Sequence, residues 1–327
     1  MHKQLPAWQL IQSSLQQKIA VMLLYVLQSK GSSPGRQGFM MAVNVNGEMS
    51  GSLGGGIMEQ KFVELAKVKL KQTAEEVSVH HQLHDKQAAK NQSGMICSGE
   101  QTIFLYTVHV KDSGAIKSLI HSLAEDRNGT LQLSPTGISF SENIPETDYN
   151  LELKNQAHFV YTEKTGYKNQ LYIIGGGHCS LALSQLMSGM DFYIHLFDDR
   201  NDLNTIAHNN FVHAKTLVND YAELYDHIPA GKNIYVVLMT VGYRTDMIAL
   251  EALVAKEFQY LGVLGSKSKI EKMFGDLLAE GIAPELLDRI HAPIGLSIKS
   301  ETPEEIAVSI AAEIIAVKNS ANCNELF

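Results

Sequence analysis

The stretch LYIIGGGHCS, residues 171–180, runs from an apolar segment typical of a buried strand into a glycine turn and a helix-like segment. Asp198 and Asp199 end the next apolar segment about 20 residues later, at the spacing that a dinucleotide-binding fingerprint requires. The third glycine of that fingerprint, which permits close packing of the helix on the strand, is Ser180 here. The stretch therefore predicts a Rossmann-like fold more firmly than it predicts a nucleotide ligand.

Short apolar segments alternate with helix-like segments through the second half of the chain. The apolar segments span residues 171–174, 192–197, 234–239 and 260–264, and a helix-like segment follows each of them. This alternation is typical of a parallel, doubly wound sheet. The last helix is marked at its start by Thr302 and Glu305, which form a capping box with a proline between them.

The first half contains a second glycine turn, SGSLGGGIME at residues 50–59. Gly54, Gly55 and Gly56 would let the backbone approach a ligand, and the helix that follows favours an anion at its start. A tight connection between two elements would also use glycine. Glu59 either complements the helix dipole or accepts hydrogen bonds from a heterocycle.

The pattern around this turn is that of an α+β domain. Asn46-Gly47 between two apolar segments predicts a hairpin with a type I′ turn, and apolar residues at helical spacing predict a helix over residues 57–71. Beyond residue 110 the periodicity weakens to one helix-like stretch, followed by short strand candidates that turn signals at Asn128-Gly129 and at residues 135–137 separate. The fold class is therefore α/β, with an N-terminal α+β domain over 1–110, a domain tail and linker over 111–168, and a C-terminal Rossmann-like, doubly wound parallel-sheet domain over 169–327.

The two turns share one arrangement, in which bare backbone N–H groups at a helix start can hold an anion. One chain with two such turns predicts two halves that meet over one anionic ligand. Ser266 and Lys267, which follow the apolar segment 260–264, either offer a donor and a cation to a phosphate or form a solvated helix start.

Composition limits the classes of function. The chain has 327 residues, 45% of them hydrophobic, and no apolar run approaches the roughly 20 residues of a membrane span, so we expect a soluble protein. The formal charge is -8 and no basic tract interrupts the mixture, which argues against nucleic acid as a partner. The N-terminal residues lack the apolar core of a signal peptide, so we expect a cytoplasmic protein.

The cysteines are Cys97, Cys179 and Cys323, far apart and without a CxxC pair, so neither a disulfide framework nor a structural zinc site is predicted. Cys97 lies in a small-residue loop, where a thiol is either exposed and reactive or simply ordinary. His80 and His84 would share one face of a helix and could then ligate a metal. The alternation of VSVH at residues 77–80 favours a strand instead.

Longer motifs add to these observations. In the first half they are GSSPGRQG at 31–38, GSLGGG at 51–56 with Glu59, and CSG at 97–99. In the second half they are IGGGH at 174–178, VLGSK at 263–267, IHAPIGL at 290–296 and ETPEEIA at 301–307. With this set the chain resembles the XdhC/CoxI family of xanthine dehydrogenase accessory proteins over nearly its whole length.

The resemblance implies a molybdenum cofactor (molybdopterin) chaperone and not an enzyme. Members hold the cofactor while a cysteine desulfurase helps to install its terminal sulfur, and pass it to a xanthine dehydrogenase-type molybdoenzyme. It implies that Cys97 touches the metal and that the glycines of both turns donate backbone N–H groups. The full set of expected cofactor-binding residues is Gly54, Gly55, Gly56, Glu59, Cys97, Gly175, Gly176, Gly177, His178, Asp198, Ser266 and Lys267. A homodimer is compatible with the sequence, but no interface can be inferred from it.

The chain departs from the family pattern at three places. Ser98 replaces a glycine of the usual Cys-Gly-Gly, Ile57 stands where some relatives have cysteine, and Val241 stands where members often have histidine after Thr240. The alternative hypothesis is an NAD(P)-binding oxidoreductase or nucleotide sensor, supported by the second glycine turn and Asp198 or Asp199. Against hydride transfer stands the absence of a pair such as Tyr-x-x-x-Lys from the sequence.

Overall fold

The computed structural model describes residues 2–72, 77–83 and 99–323. The chain divides into two units, Met1–Gly166 and Tyr167–Phe327. Within the described residues, no helix has both the length and the apolar character that crossing a membrane requires.

The first unit is built on a five-stranded antiparallel sheet. Its strands are β1 (Val21–Lys30), β2 (Met40–Asn44), β3 (Met49–Gly51), β4 (Val77–Leu83) and β5 (Glu100–Thr107), in the spatial order β3-β2-β1-β5-β4. Helix α1 (Leu5–Gln16) packs on one face of this sheet and helix α2 (Gly56–Lys71) on the other. Because both faces are covered, the central strand β1 is apolar and buried without a break from Val21 to Leu27.

The predicted hairpin forms between β2 and β3, but its turn is not of type I′. A type I′ turn needs a positive φ at both central residues, and only Gly47 has one (φ 87°). The side chain of Asn44 stabilises the turn, because its Oδ1 atom accepts hydrogen bonds from the backbone N–H groups of Asn46 (3.1 Å) and Glu48 (3.0 Å).

A helix and a second sheet occupy the segment for which the sequence predicts a domain tail and linker. They are α3 (Ser113–Ala124) and the strands β6 (Gly129–Ser134), β7 (Gly137–Ser141), β8 (Tyr149–Asn155) and β9 (His158–Thr165), in the spatial order β7-β6-β9-β8. Leu131 of β6 and Tyr161 of β9 belong to the same apolar core as Trp8 of α1. Buried Glu163 joins the two sheets through its Oε2 atom, which accepts hydrogen bonds from the hydroxyls of Tyr25 (2.5 Å) and Tyr161 (2.8 Å).

The second unit has the doubly wound parallel sheet that the sequence predicts. The strands are β10 (Asn169–Ile174), β11 (Phe192–Asp198), β12 (Ala214–Leu217), β13 (Gly231–Leu238) and β14 (Phe258–Val263), in the spatial order β12-β11-β10-β13-β14. The helices are α4 (His178–Met187), α5 (Asn204–His208), α6 (Leu224–His227), α7 (Tyr243–Leu253), α8 (Lys267–Ala279), α9 (Pro284–Leu287) and α10 (Pro303–Cys323). Helices α4 and α10 cover one face, and α7 and α8 cover the other.

The strand order reverses between β10 and β13. From β10 the chain first builds the sheet outward through β11 and β12, and it then returns to the other side of β10 to add β13 and β14. In open α/β sheets, ligands bind at such a switch point, outside the carboxyl ends of the strands. The second glycine turn follows β10 and therefore lies at this edge.

Candidate functional site

In the first unit, the motif loops at residues 31–38 and 51–56 pack backbone against backbone. A Cβ atom on Gly54 would lie 2.3 Å from the backbone nitrogen of Gly35, and one on Gly35 would lie 1.9 Å from the carbonyl oxygen of Leu53. Gly54 also has a φ of 115°, which L side chains rarely adopt. These two glycines are therefore required by the contact between the loops.

The described end of the third motif joins the same contact. A Cβ atom on Gly99 would lie 2.4 Å from the carbonyl oxygen of Ser32, and the side chain of Gln101 donates a hydrogen bond to the carbonyl oxygen of Gly35 (2.8 Å). The fold thus brings together the segments GSSPGRQG, GSLGGG and the last residue of CSG. Cys97, the predicted metal ligand, lies outside the described residues.

Glu59 closes the first glycine turn. Its Oε2 atom accepts hydrogen bonds from the hydroxyl of Ser52 (2.7 Å) and from the backbone N–H groups of Leu53 (2.7 Å) and Gly55 (3.1 Å). The N–H of Gly54 bonds to the Ser52 hydroxyl (3.0 Å). The carboxylate therefore organises its own loop, and two of the amides that the sequence offers to a ligand bond within the chain.

One glycine of this turn faces open space. Gly55 is the residue before α2, no side chain caps the helix, and a Cβ atom on Gly55 would meet nothing within 4 Å. The first N–H groups of a helix have no partner inside the helix and attract anions. The approach to the start of α2 is therefore open on the Gly55 side.

The second glycine turn likewise combines glycines that pack against other segments with one that faces open space. Gly175 donates its N–H to the carbonyl oxygen of Phe197 (2.8 Å), and a Cβ atom on it would lie 2.4 Å from the carbonyl oxygen of Met239. A Cβ atom on Gly176 would lie 2.3 Å from the side chain of Ile206. Gly177 precedes α4 without a side-chain cap and faces open space. His178, the first residue of α4, is exposed.

Asp198 is 2% exposed and all of its acceptor positions are used. Its Oδ1 accepts from the backbone N–H (2.8 Å) and Nε (2.9 Å) of Arg200, and its Oδ2 accepts from Nη2 of Arg200 (2.8 Å) and from the N–H of Gly176 (2.5 Å). Burial alone would raise the pKa of this carboxyl, but the bonds from Arg200 and Gly176 hold it below its usual value. Asp198 is therefore ionised and paired with Arg200, a residue that the sequence does not single out.

A second buried charge pair lies at the carboxyl edge near β13 and β14. Asp246, fully buried in the first turn of α7, accepts hydrogen bonds from the N–H (3.1 Å) and hydroxyl (2.6 Å) of Thr240 and is paired with the ammonium group of Lys269. The Lys269 ammonium also donates to the carbonyl oxygen of Leu264 (3.0 Å). Since Gly175 packs against Thr240, this pair adjoins the second glycine turn.

Ser266 and Lys267 lie at the solvated start of α8. The hydroxyl of Ser266 caps the helix by accepting a hydrogen bond from the N–H of Lys269 (3.3 Å), and both Ser266 and Lys267 are exposed. The folded chain thus fixes the ammonium group of Lys269, whereas the phosphate contact predicted for Lys267, two residues earlier, stays a prediction. No local pattern distinguishes the two lysines, because the difference is the distant Asp246.

The motif IHAPIGL docks the last helix on the sheet. Glu313 of α10 accepts hydrogen bonds at Oε2 from the hydroxyl of Tyr260 (2.5 Å) and the N–H of Gly295 (2.8 Å). The ring of His291 stacks on that of Tyr260 at 4.4 Å, with its Nδ1 atom 3.4 Å from Oε1 of Glu313. Packing therefore accounts for this motif without a ligand.

The remaining candidates are a thiol and two histidines. In the part of the chain that the structure describes, no group of three His, Cys, Asp or Glu side chains lies close enough together to hold a metal ion. His80 lies in strand β4, as its alternation predicts, and its Nε2 atom bonds to the hydroxyl of Ser78 (3.0 Å). His84 and Asp85 lie outside the described residues. Burial raises the pKa of the Cys179 thiol, so this cysteine is not activated.

Comparison with known proteins gives two family matches and several relatives. The XdhC Rossmann domain family matches residues 171–314, and the XdhC and CoxI family matches residues 14–81. The uncharacterized protein YqeB of Escherichia coli is 25% identical over 301 residues, which are 90% of this chain and 43% of that protein. A protein of Bacillus subtilis named as a probable xanthine dehydrogenase component is 27% identical over 180 residues, 54% of this chain and 52% of that protein.

The chain therefore spans about half the length of the curated relatives that it matches. Among solved structures, a protein from Bacillus halodurans described as a xanthine dehydrogenase superposes with a TM-score of 0.70 at 22% identity, and the match covers 96% of each chain. At this identity the likeness shows the fold, and it extends over both units.

Proposed function

Because the chain belongs to the XdhC and CoxI family, we propose that it is an accessory protein of a xanthine dehydrogenase system and not a catalytic component. Two relatives carry xanthine dehydrogenase in their descriptions, which supports a place in such a system. More specifically, we propose that the chain binds the molybdenum cofactor and delivers it to a xanthine dehydrogenase-type molybdoenzyme.

The observation that carries this proposal is the convergence of the first-unit motifs around an open helix start. Gly54 and Gly35 fix the two loops against each other, and Glu59 holds the turn in shape. The open side at Gly55, together with the exposed Gly56, then suits the phosphate of a molybdopterin, because helix starts attract anions. The residues present fit the anionic part of the cofactor.

The second unit offers a similar position at Gly177 and His178, before and at the start of α4. We assign these two residues to polar contacts with the cofactor, and Lys267, exposed at the start of α8, to a phosphate contact. Asp198 and Glu59 act indirectly, because their carboxylates bond to Arg200 and to the turn, respectively. Bound cofactor would supply the molybdenum centre that receives the terminal sulfur.

Cys97 is the residue to which we assign contact with the metal. It precedes Gly99, which packs on the motif loop at Ser32, by two positions in the sequence. A thiolate is a soft ligand of the kind that binds transition metals with sulfur-rich surroundings. A cysteine desulfurase is then expected as a second partner, since the terminal sulfur has to come from a donor.

The proposal is tested by anaerobic titration of the purified chain with freshly released molybdenum cofactor, followed by gel filtration and analysis of molybdenum and pterin. We expect both to co-elute with the chain in equal amounts. Cys97→Ala should reduce retention of molybdenum, whereas the matched control Cys323→Ser should not. Failure of the unaltered chain to retain pterin under reducing conditions would reject the proposal. The elution volume also reports whether the chain forms a homodimer.

A further inference from the structure

The second unit contains a cavity of about 240 Å³ over the carboxyl ends of β11 and β12. Its floor consists of two pairs of neighbouring residues on one face of the sheet, Leu196 beside Lys215 and Asp198 beside Leu217. Helix α5, which crosses between these strands, has only five residues and is about 7 Å long. A helix of this length leaves part of the two strands uncovered, and the cavity is the result.

The cavity adjoins the second glycine turn. Ile206 of α5 forms one wall, and a Cβ atom on Gly176 would contact both Ile206 (2.3 Å) and Oδ2 of Asp198 (3.2 Å). A ligand that followed the turn past Gly177 would therefore reach the cavity. Its volume is below the roughly 300 Å³ of pockets that enclose a whole drug-sized ligand, so it suits one part of a larger molecule.

The walls combine apolar side chains with two cations. Leu196, Ile206 and Leu217 supply apolar surface, and Arg200 and Lys215 supply the positive charges. Arg200 bonds to Asp198 through Nε and Nη2, and its Nε atom also lies 3.5 Å from Oδ1 of Asp199. Within the described residues, no acceptor bonds to its Nη1 atom. The Lys215 ammonium is steadied by the carbonyl oxygen of Ile206 (2.8 Å), which uses one of its three protons.

Asp198 has the position of the carboxylate that binds the ribose 2′-hydroxyl in NAD-dependent Rossmann domains. Here its acceptor positions are filled by Arg200 and Gly176. A 2′-hydroxyl would therefore find no free carboxylate oxygen, whereas a 2′-phosphate would find the ammonium group of Lys215 and the Nη1 side of Arg200, whose charge is paired with Asp198. The same fold uses a nearby arginine when the ribose carries a 2′-phosphate.

We propose that this cavity binds a 2′-phosphorylated adenosine, the group that distinguishes NADP(H) from NAD(H), with the phosphate on Arg200 and Lys215 and the base against Leu196 and Ile206. The phosphate and the base would lie on residues other than Gly177 and His178, to which cofactor contacts are assigned above. The proposed role of the cavity is binding, without hydride transfer by the chain.

The test uses calorimetric titration of the full chain with adenosine 2′,5′-bisphosphate, 5′-AMP, NADPH and NADH. A charge-assisted contact to one phosphate is expected to change affinity about tenfold or more, so the bisphosphate should bind about tenfold tighter than 5′-AMP, and NADPH tighter than NADH by a similar factor. Equal affinities within either pair, or no binding of the bisphosphate at about 1 mM, would overturn the proposal.

Lys215→Gln is the informative variant, because it leaves the buried pair of Asp198 and Arg200 intact. It should weaken NADPH binding about tenfold and leave NADH binding unchanged. The matched control is Lys232→Gln. Lys232 is exposed at the start of β13, and therefore at the amino ends of the strands and away from the cavity. Its substitution should change the affinity for neither NADPH nor NADH. An equal loss of NADPH and NADH affinity in Lys215→Gln would contradict the assignment of the phosphate.

The two proposals fail independently. Lys215→Gln should retain molybdenum and pterin as the unaltered chain does, and Cys97→Ala should bind NADPH normally. Loss of both ligands in either variant would show that the two sites are not separate, and would overturn the inference in its present form.

Discussion

Substitution of adjacent glycines in the second turn separates packing from binding. Gly175→Ala places a Cβ atom 2.4 Å from the carbonyl oxygen of Met239 at a φ of 106°. The left-handed conformation costs about 1–2 kcal/mol and overpacking typically about 1–3 kcal/mol more, so we expect a loss of about 2–5 kcal/mol. Gly177→Ala introduces its Cβ atom into open space at a φ of -72°, which any residue adopts. Its cost should stay below about 1 kcal/mol, that of an altered helix cap.

The assay is thermal unfolding followed by circular dichroism. For a unit of this size, 1 kcal/mol corresponds to about 2–4 °C in Tm, so Gly175→Ala should lower the midpoint of the second unit by about 4–20 °C and Gly177→Ala by less than about 4 °C. Trp8, the only tryptophan and fully buried in the first unit, gives a separate fluorescence signal for that unit. Gly177→Ala should nevertheless weaken cofactor binding, because its methyl group enters the open approach to α4. Equal destabilisation by the two substitutions would refute this reasoning.

Three further results are expected, each measured by denaturant or acid unfolding. Glu59→Ala should destabilise the first unit by about 1–3 kcal/mol, because two backbone N–H groups lose their acceptor. The control Glu64→Ala breaks only an exposed ion pair and should change the stability by no more than about 0.5 kcal/mol. Equal effects of the two substitutions would contradict the role of Glu59. Lys269→Met should cost about 3–5 kcal/mol, because Asp246 is left buried and unpaired; a loss under about 1 kcal/mol would contradict this. The depressed pKa of Asp198 contributes stability that is complete above its ordinary value of 3.8 and is lost as pH falls through the lower folded value. Asp198→Asn should therefore flatten the acid limb of the stability curve, and an unchanged limb would argue against this account.

The sequence predicts the elements that are fully buried or bounded by local signals. The apolar segment 171–174 is confirmed as most of β10, and the helix predicted over 57–71 is confirmed as α2, Gly56–Lys71. Both are recognisable because a strand covered on two faces is apolar throughout, and because a helix repeats its apolar positions with a fixed period.

The elements that the sequence does not reveal are half exposed. Strand β12 has four residues that alternate between exposed and half-buried positions, and β8 is mostly exposed. Such strands carry little apolar signal, although β9, which pairs with β8, and β6 on its other side belong to the core of the first unit. The periodicity between residues 111 and 168 weakens for this reason, and not because the segment is without regular structure.

The role of Lys269 in the candidate site could not be predicted for a different reason. Arg200 and Lys269 owe their positions to Asp198 and Asp246, and the second of these pairs spans 23 residues of sequence. Nothing in the local pattern separates Lys269, which is paired, from Lys267, which is exposed. Ion pairs between elements depend on the folded arrangement of the strands, so sequence spacing alone cannot identify them.

Runs of three glycines in both turns have a common explanation in the structure. Gly54 in the first turn, and Gly175 and Gly176 in the second, lack space for a Cβ atom because another segment lies against them. Gly55 and Gly177 face open space immediately before a helix that has no side-chain cap. Each run therefore combines glycines required by packing with one that leaves a helix start accessible. A sequence shows only the run, which is why it offers every glycine equally as a ligand donor. Of the two accessible glycines, only Gly177 has a φ that any residue adopts (-72°), because Gly55 has a φ of 79°, and ligand binding is therefore best tested at Gly177.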